Sequence, residues 1–129
     1  MLVEGGVLHR EELAEVFDAD IDGDNVKHYP SMTFAGIEFP GIDATGMTYL
    51  RIDVWIDSPT AFKVKLVDFG GDGFDNPEEV PEEARNDSEH ELAYFANDGD
   101  LDDKTWMTFD IPLEDFEGLD ARSDLSQLI

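Results

Sequence analysis

Residues 47–56 and 62–67 alternate apolar and polar side chains so regularly that a pleated sheet is the structure they fit. In the first run Leu50, Ile52, Val54 and Ile56 fall on one side of a strand, and Tyr49, Arg51, Asp53 and Trp55 on the other. In the second, Phe62, Val64 and Leu66 oppose Lys63, Lys65 and Val67. Between them stands Asp57-Ser58-Pro59-Thr60, a turn composition, so the pair reads as a hairpin with a short loop. The second run breaks off in Asp68-Phe69-Gly70-Gly71-Asp72-Gly73. Glycines there permit positive φ, and aspartates line the bend.

Other segments repeat the pattern. Residues 31–39 read as a strand closed by Pro40-Gly41. Over 89–95, His90, Leu92 and Tyr94 oppose Glu91, Ala93 and Phe95. Over 105–111, Met107, Phe109 and Ile111 oppose Trp106, Thr108 and Asp110; because large aromatics are mostly buried, Trp106 is expected in the core. A further strand starts at Leu125. Single helical turns fit 81–84 and 113–116, and a short helix fits 9–17, where Leu13, Val16 and Phe17 share a face. Asp18, Asp20, Asp22 and Gly23 have the spacing of the start of an EF-hand calcium loop. Tyr29 stands where that loop needs a bidentate glutamate and no second helix follows, so a strand–turn–strand about Asp22-Gly23-Asp24 is the favoured reading. Five or six strands, turns rich in Gly, Pro and Asp, and no long amphipathic helix predict an all-β fold, an antiparallel β-sandwich. We assign 1–24 to an N-terminal extension or first strand region and 25–129 to the sandwich. A strand pattern running to the last residue predicts a sandwich truncated at one or both ends.

The net charge of −24 over 129 residues argues against nucleic acid and anionic membranes as partners. It suits solubility in high salt, or cation binding. With no cysteine, disulfides, thiolate metal sites and cysteine nucleophiles are excluded. No apolar run approaches the roughly 20 residues of a membrane helix. The first residues lack the basic start and apolar stretch of a signal peptide. Among 32 acidic residues, chance carboxylate pairs are inevitable, so no glycosidase dyad is inferred. His9, His28 and His90 are isolated in sequence, and no phosphate loop, zinc motif or nucleophile elbow occurs. The expectation is a protein that is not an enzyme.

Several phrases in order carry a resemblance: Tyr29 with 33–39 (TFAGIEF), 42–45 (IDAT), 52–55 (IDVW), 63–70 (KVKLVDFG) with Asp72-Gly73, 87–91 (DSEHE), Trp106 with 109–113 (FDIPL), and 125–129 (LSQLI). Together they resemble the non-catalytic β-sandwich modules of secreted bacterial glycoside hydrolases, over residues 25–129. The resemblance implies a jelly-roll, galactose-binding-like fold, an extracellular location, polysaccharide as ligand and a glycoside hydrolase domain on a parent chain. The chain departs from the family in the acidic insert 75–86, in its N-terminal strand, and in lacking the Asp-Asn pair beyond the last phrase.

Two constellations could carry binding. Sugars need flat aromatic faces and polar groups for their hydroxyls. Tyr49, Arg51, Asp53 and Trp55, with Lys63 and Lys65 of the presumed hairpin partner, would form such a carbohydrate-binding surface. A calcium ion needs six to eight oxygens. Asp68 and Asp72 on the glycine turn, with Asp87 and Glu89 nearby, are the candidate ligands. The alternative function is an acidic calcium-binding or interaction domain without sugar specificity.

Overall fold

The alternating runs form strands, and each buries the expected side. The computed structural model describes residues 16–129, together with the strand backbones of Leu2–Glu4 and Leu8–His9. Among these residues there are ten strands: β1 (Leu2–Glu4), β2 (Leu8–His9), β3 (Phe17–Ile21), β4 (Asp24–His28), β5 (Ile37–Ile42), β6 (Tyr49–Trp55), β7 (Ala61–Asp68), β8 (Ser88–Phe95), β9 (Trp106–Pro112) and β10 (Leu125–Leu128). They make two five-stranded sheets, ordered β3-β4-β1-β6-β9 and β2-β5-β10-β7-β8. Every pairing is antiparallel.

The core lies between the sheets. Val54 of β6 and Met107 and Ile111 of β9 meet Phe62, Val64 and Leu66 of β7 and Leu125 of β10. Each such side chain contributes about 1.5–3 kcal/mol by leaving water. Phe109 of β9 bridges the layers, with its ring centroid 5.3 Å from Phe62 and 4.8 Å from Tyr94. Single-turn 3-10 segments at Leu113–Asp115 and Glu82–Ala84 fall where helical turns were expected. The all-β antiparallel sandwich is therefore the fold.

Two local expectations are corrected. The presumed β6–β7 hairpin does not exist. β6 pairs with β1 and β9, whereas β7 pairs with β8 and β10. The 56–60 link is an arch that carries the chain from one sheet to the other. It is tied down by Ser58 N–H donating to Asp103 Oδ1 at 2.7 Å and Lys104 N–H donating to the Ile56 carbonyl at 2.9 Å. A hairpin and an arch bury the same alternate residues, so periodicity does not separate them.

The strand expected over 31–39 begins only at Ile37 and continues through Pro40-Gly41. Proline is tolerated there because β10, pairing with β5, has an irregular register between Leu125 and Gln127. An added Cβ at Gly41 would lie 1.6 Å from Asp124 Oδ1, so that carboxylate, which holds the Gly71 N–H through Oδ2, would have to move.

The strand–turn–strand reading of 18–24 holds, as the β3–β4 hairpin. Asp22 and Gly23, with φ of 56° and 92°, form its two-residue turn, and Asp20 Oδ1 accepts the Gly23 N–H at 3.0 Å. Most of the helix expected over 9–17 lies outside the described residues; Phe17 opens β3.

Because Phe62 is 6% exposed and touches both layers through Phe109, Phe62→Ala should destabilise the domain by about 3–5 kcal/mol. A denaturant titration would read this as a lower midpoint at unchanged slope. A loss under about 1 kcal/mol would mean that the sheets do not meet at this point.

Candidate functional site

With Leu50, Ile52 and Val54 turned inward, β6 presents Tyr49, Arg51, Asp53 and Trp55 on the outer face of its sheet. The neighbouring edge strand β9 turns Met107, Phe109 and Ile111 inward and adds Trp106, Thr108, Asp110 and Pro112 to the same outer face. The register matches these residues in rows: Tyr49 with Pro112, Arg51 with Asp110, Asp53 with Thr108, and Trp55 with Trp106. Directly opposed residues share a face about 5 Å apart. The ribbon is thus aromatic at both ends and polar between them.

The two middle rows are locked. Arg51 forms a bidentate pair with Asp110, through Nε at 2.6 Å and Nη2 at 2.9 Å. The hydrogen bond to Arg51 holds the Asp110 carboxyl below its ordinary range. Thr108 donates its hydroxyl hydrogen bond to Asp53. Tyr49 is 58% and Trp106 40% exposed, while Trp55 is half-buried. Trp106 is therefore on the solvent face, which corrects its expected place in the core.

Sequence reasoning found the β6 half of this face and missed Trp106, Thr108 and Asp110. The signal was present, since these three alternate with core residues, but only strand pairing sets them beside β6. Lys63 and Lys65 do not join them. Both lie on the outer side of the opposite sheet, where Lys63 pairs with Glu91 at 3.1 Å and Lys65 with Glu89 at 3.4 Å. The six residues expected to form one surface are divided between two faces of the sandwich.

The four metal candidates are divided as well. Glu89 stands out on β8 against Lys65. Asp68, at the end of β7, is 1% exposed, and both its oxygens accept backbone hydrogen bonds: Oδ1 from Gly70 N–H at 2.8 Å and Oδ2 from Asp124 N–H at 3.0 Å. Asp124 Oδ2 in turn accepts the Gly71 N–H at 3.0 Å. Asp68 is thus a clamp that fastens the glycine bend to the segment entering β10. Gly70, at φ 70°, is pressed against Asn86, with 2.5 Å from a built Cβ to that side chain.

Asp87 lies alongside, within the field of Asp68, Asp72 and Asp75. Its Oδ2 accepts the Asp75 N–H at 2.9 Å, and Asp75 Oδ2 accepts the Asn86 N–H at 2.7 Å. Asp87 Oδ1 is buried without a hydrogen-bond partner. Among the described residues, no three His, Asp or Glu side chains gather as a metal shell would require.

Two hollows lie away from the β6–β9 face. A cleft of about 610 Å³ opens at the arch end, lined by Tyr29, Phe34, Ile52, Ile56 and Phe62 among others. Burial there pushes the Tyr29 hydroxyl up to about 12. A second hollow lies beside Phe69 and Phe74, whose ring centroids are 5.8 Å apart. Comparison with protein-family models, curated proteins and solved structures gives no match to this chain.

Burial, aided by repulsion from Asp75, Asp72 and Asp68, pushes the Asp87 carboxyl above its ordinary 3.8, although the Asp75 N–H pulls the other way. The folded state therefore holds that proton more tightly than the unfolded chain does. This contribution to stability is fully present below the unfolded value and is lost as pH rises through the folded one. Asp87→Asn keeps an oxygen for the Asp75 N–H and removes the charge. It should raise Tm at neutral pH, with the gain vanishing as pH falls below the ordinary carboxylate range. A Tm that drops in the variant only when calcium is present would instead make this corner a calcium site.

Proposed function

We propose that this domain is a non-catalytic polysaccharide-binding module of the jelly-roll, galactose-binding-like kind, and that the outer face of the β6–β9 ribbon is its binding surface. The observation that carries the reading is the aromatic row of half-buried Trp55 opposite exposed Trp106, on a sheet face that also bears exposed Tyr49 and the Arg51–Asp110 pair. Apolar surface left in water and rimmed by polar groups is a feature of interaction sites. Their rings suit the C–H faces of sugar rings, and Asp53, Thr108, Asp110 and Arg51 suit the hydroxyls between.

A flat ribbon fits a chain lying across it better than a small molecule, which would be enclosed in a pocket. As part of an extracellular parent chain, the module would hold a glycoside hydrolase domain against its polysaccharide and raise the effective substrate concentration. The catalytic chemistry would belong to that other domain.

Calorimetric titration with laminarin, agar and xylan oligosaccharides tests the reading. At least one should give a saturable heat, and Trp55→Ala or Trp106→Ala should weaken it by about tenfold or more, ~1.4 kcal/mol. Both tryptophans project outside the core, so the variants should stay folded. Heat that survives both substitutions would move the site elsewhere, and no heat with any glycan would remove the proposal.

A further inference from the structure

We infer that the β6–β9 face selects uncharged polysaccharides and rejects chains bearing uronate or sulfate groups, an inference that rests on the glycan-binding reading above. The outer face carries one cation, Arg51, against two carboxylates, Asp53 and Asp110. Both Nε and Nη2 of Arg51 are already engaged by Asp110, at 2.6 and 2.9 Å. An anionic sugar that reached the remaining N–H groups of Arg51 would stand beside the Asp110 carboxylate already paired to the same guanidinium, and would be repelled by it. Lys104, two residues before Trp106, is paired with Asp57 at 3.6 Å. The other lysines also stand beside carboxylates, Lys27 by Asp18, and Lys63 and Lys65 by the glutamates of β8, away from this face.

The approaches to the face are also acidic. Asp102 and Asp103 are exposed just ahead of β9, and Glu114 and Asp115 just after it. On a chain of net charge −24 their potential adds to that of the face and repels an incoming anion. Neutral sugars suffer no such cost, because hydroxyl groups donate readily to Asp53 and Asp110. Geometry favours a chain over a single sugar. From Tyr49 to Trp55 the strand runs about 20 Å, so several rings can lie between the aromatic ends.

The test compares laminarin with alginate and carrageenan fragments of similar length. The full chain is titrated at two ionic strengths, both within the range where circular dichroism shows it folded. The neutral glucan should bind with a Kd that changes less than about twofold with salt. The anionic fragments should bind at least about tenfold more weakly at the lower salt, and the gap should narrow as salt screens the repulsion. Asp110→Asn, which frees Arg51, should strengthen binding of the anionic fragments and leave the neutral preference smaller. Anionic fragments binding as tightly as laminarin at low salt, with loss in Trp55→Ala, would overturn the selectivity while keeping the glycan face. Binding of neither class would overturn the glycan reading itself.

Discussion

The structure depends on burying one side of β6 and β9 against one side of β7, β8 and β10. Val54 and Val64, at 0% and 1% exposure, sit at the centre of that contact, and Phe62, Phe109 and Tyr94 seal it. Once these residues occupy the interior, the pleat leaves no choice about the alternate positions. Tyr49, Trp55 and Trp106 must then face outward. Three aromatic rings thus stand on the solvent side of the ribbon, with the Arg51–Asp110 ion pair between them.

The acidic bend has a different origin. Its carboxylates are largely used up by the backbone. Asp68, Asp75, Asp87 and Asp124 each accept an N–H from a loop that no strand ladder reaches. Buried N–H groups need partners, and a carboxylate is a strong one. The clustering of aspartates around the glycines thus follows from the hydrogen-bond needs of a tight, irregular connection. Asp87 is where this solution is incomplete, since one of its oxygens lacks a donor.

What the sequence made legible was everything governed by a period of two. The inward and outward sides of β6, β7, β8 and β9, the turns about Asp22-Gly23 and at Leu113, and the all-β class are local matters. What it concealed was which strands are neighbours. Ile56-Asp57-Ser58-Pro59-Thr60 has the composition of a hairpin turn, yet it spans the two layers, because the inner faces of β6 and β7 gain more by meeting across the core. That single difference moved Lys63 and Lys65 to the opposite face and brought Trp106, Thr108 and Asp110 beside β6. Likewise Asp68 and Asp72, close in sequence, have unlike surroundings, for Asp68 is sealed under the β10 connection and Asp72 is exposed.

Trp55 and Trp106 are the chain's only tryptophans, and both belong to the ribbon. Intrinsic tryptophan emission therefore reports on this face and nowhere else. Titrating laminarin into the unmodified protein while recording that emission tests the account most directly. A saturable change with the same midpoint as the binding heat is the predicted result. Binding heat accompanied by unaltered emission would contradict it, because the glycan would then be held on some other part of the molecule.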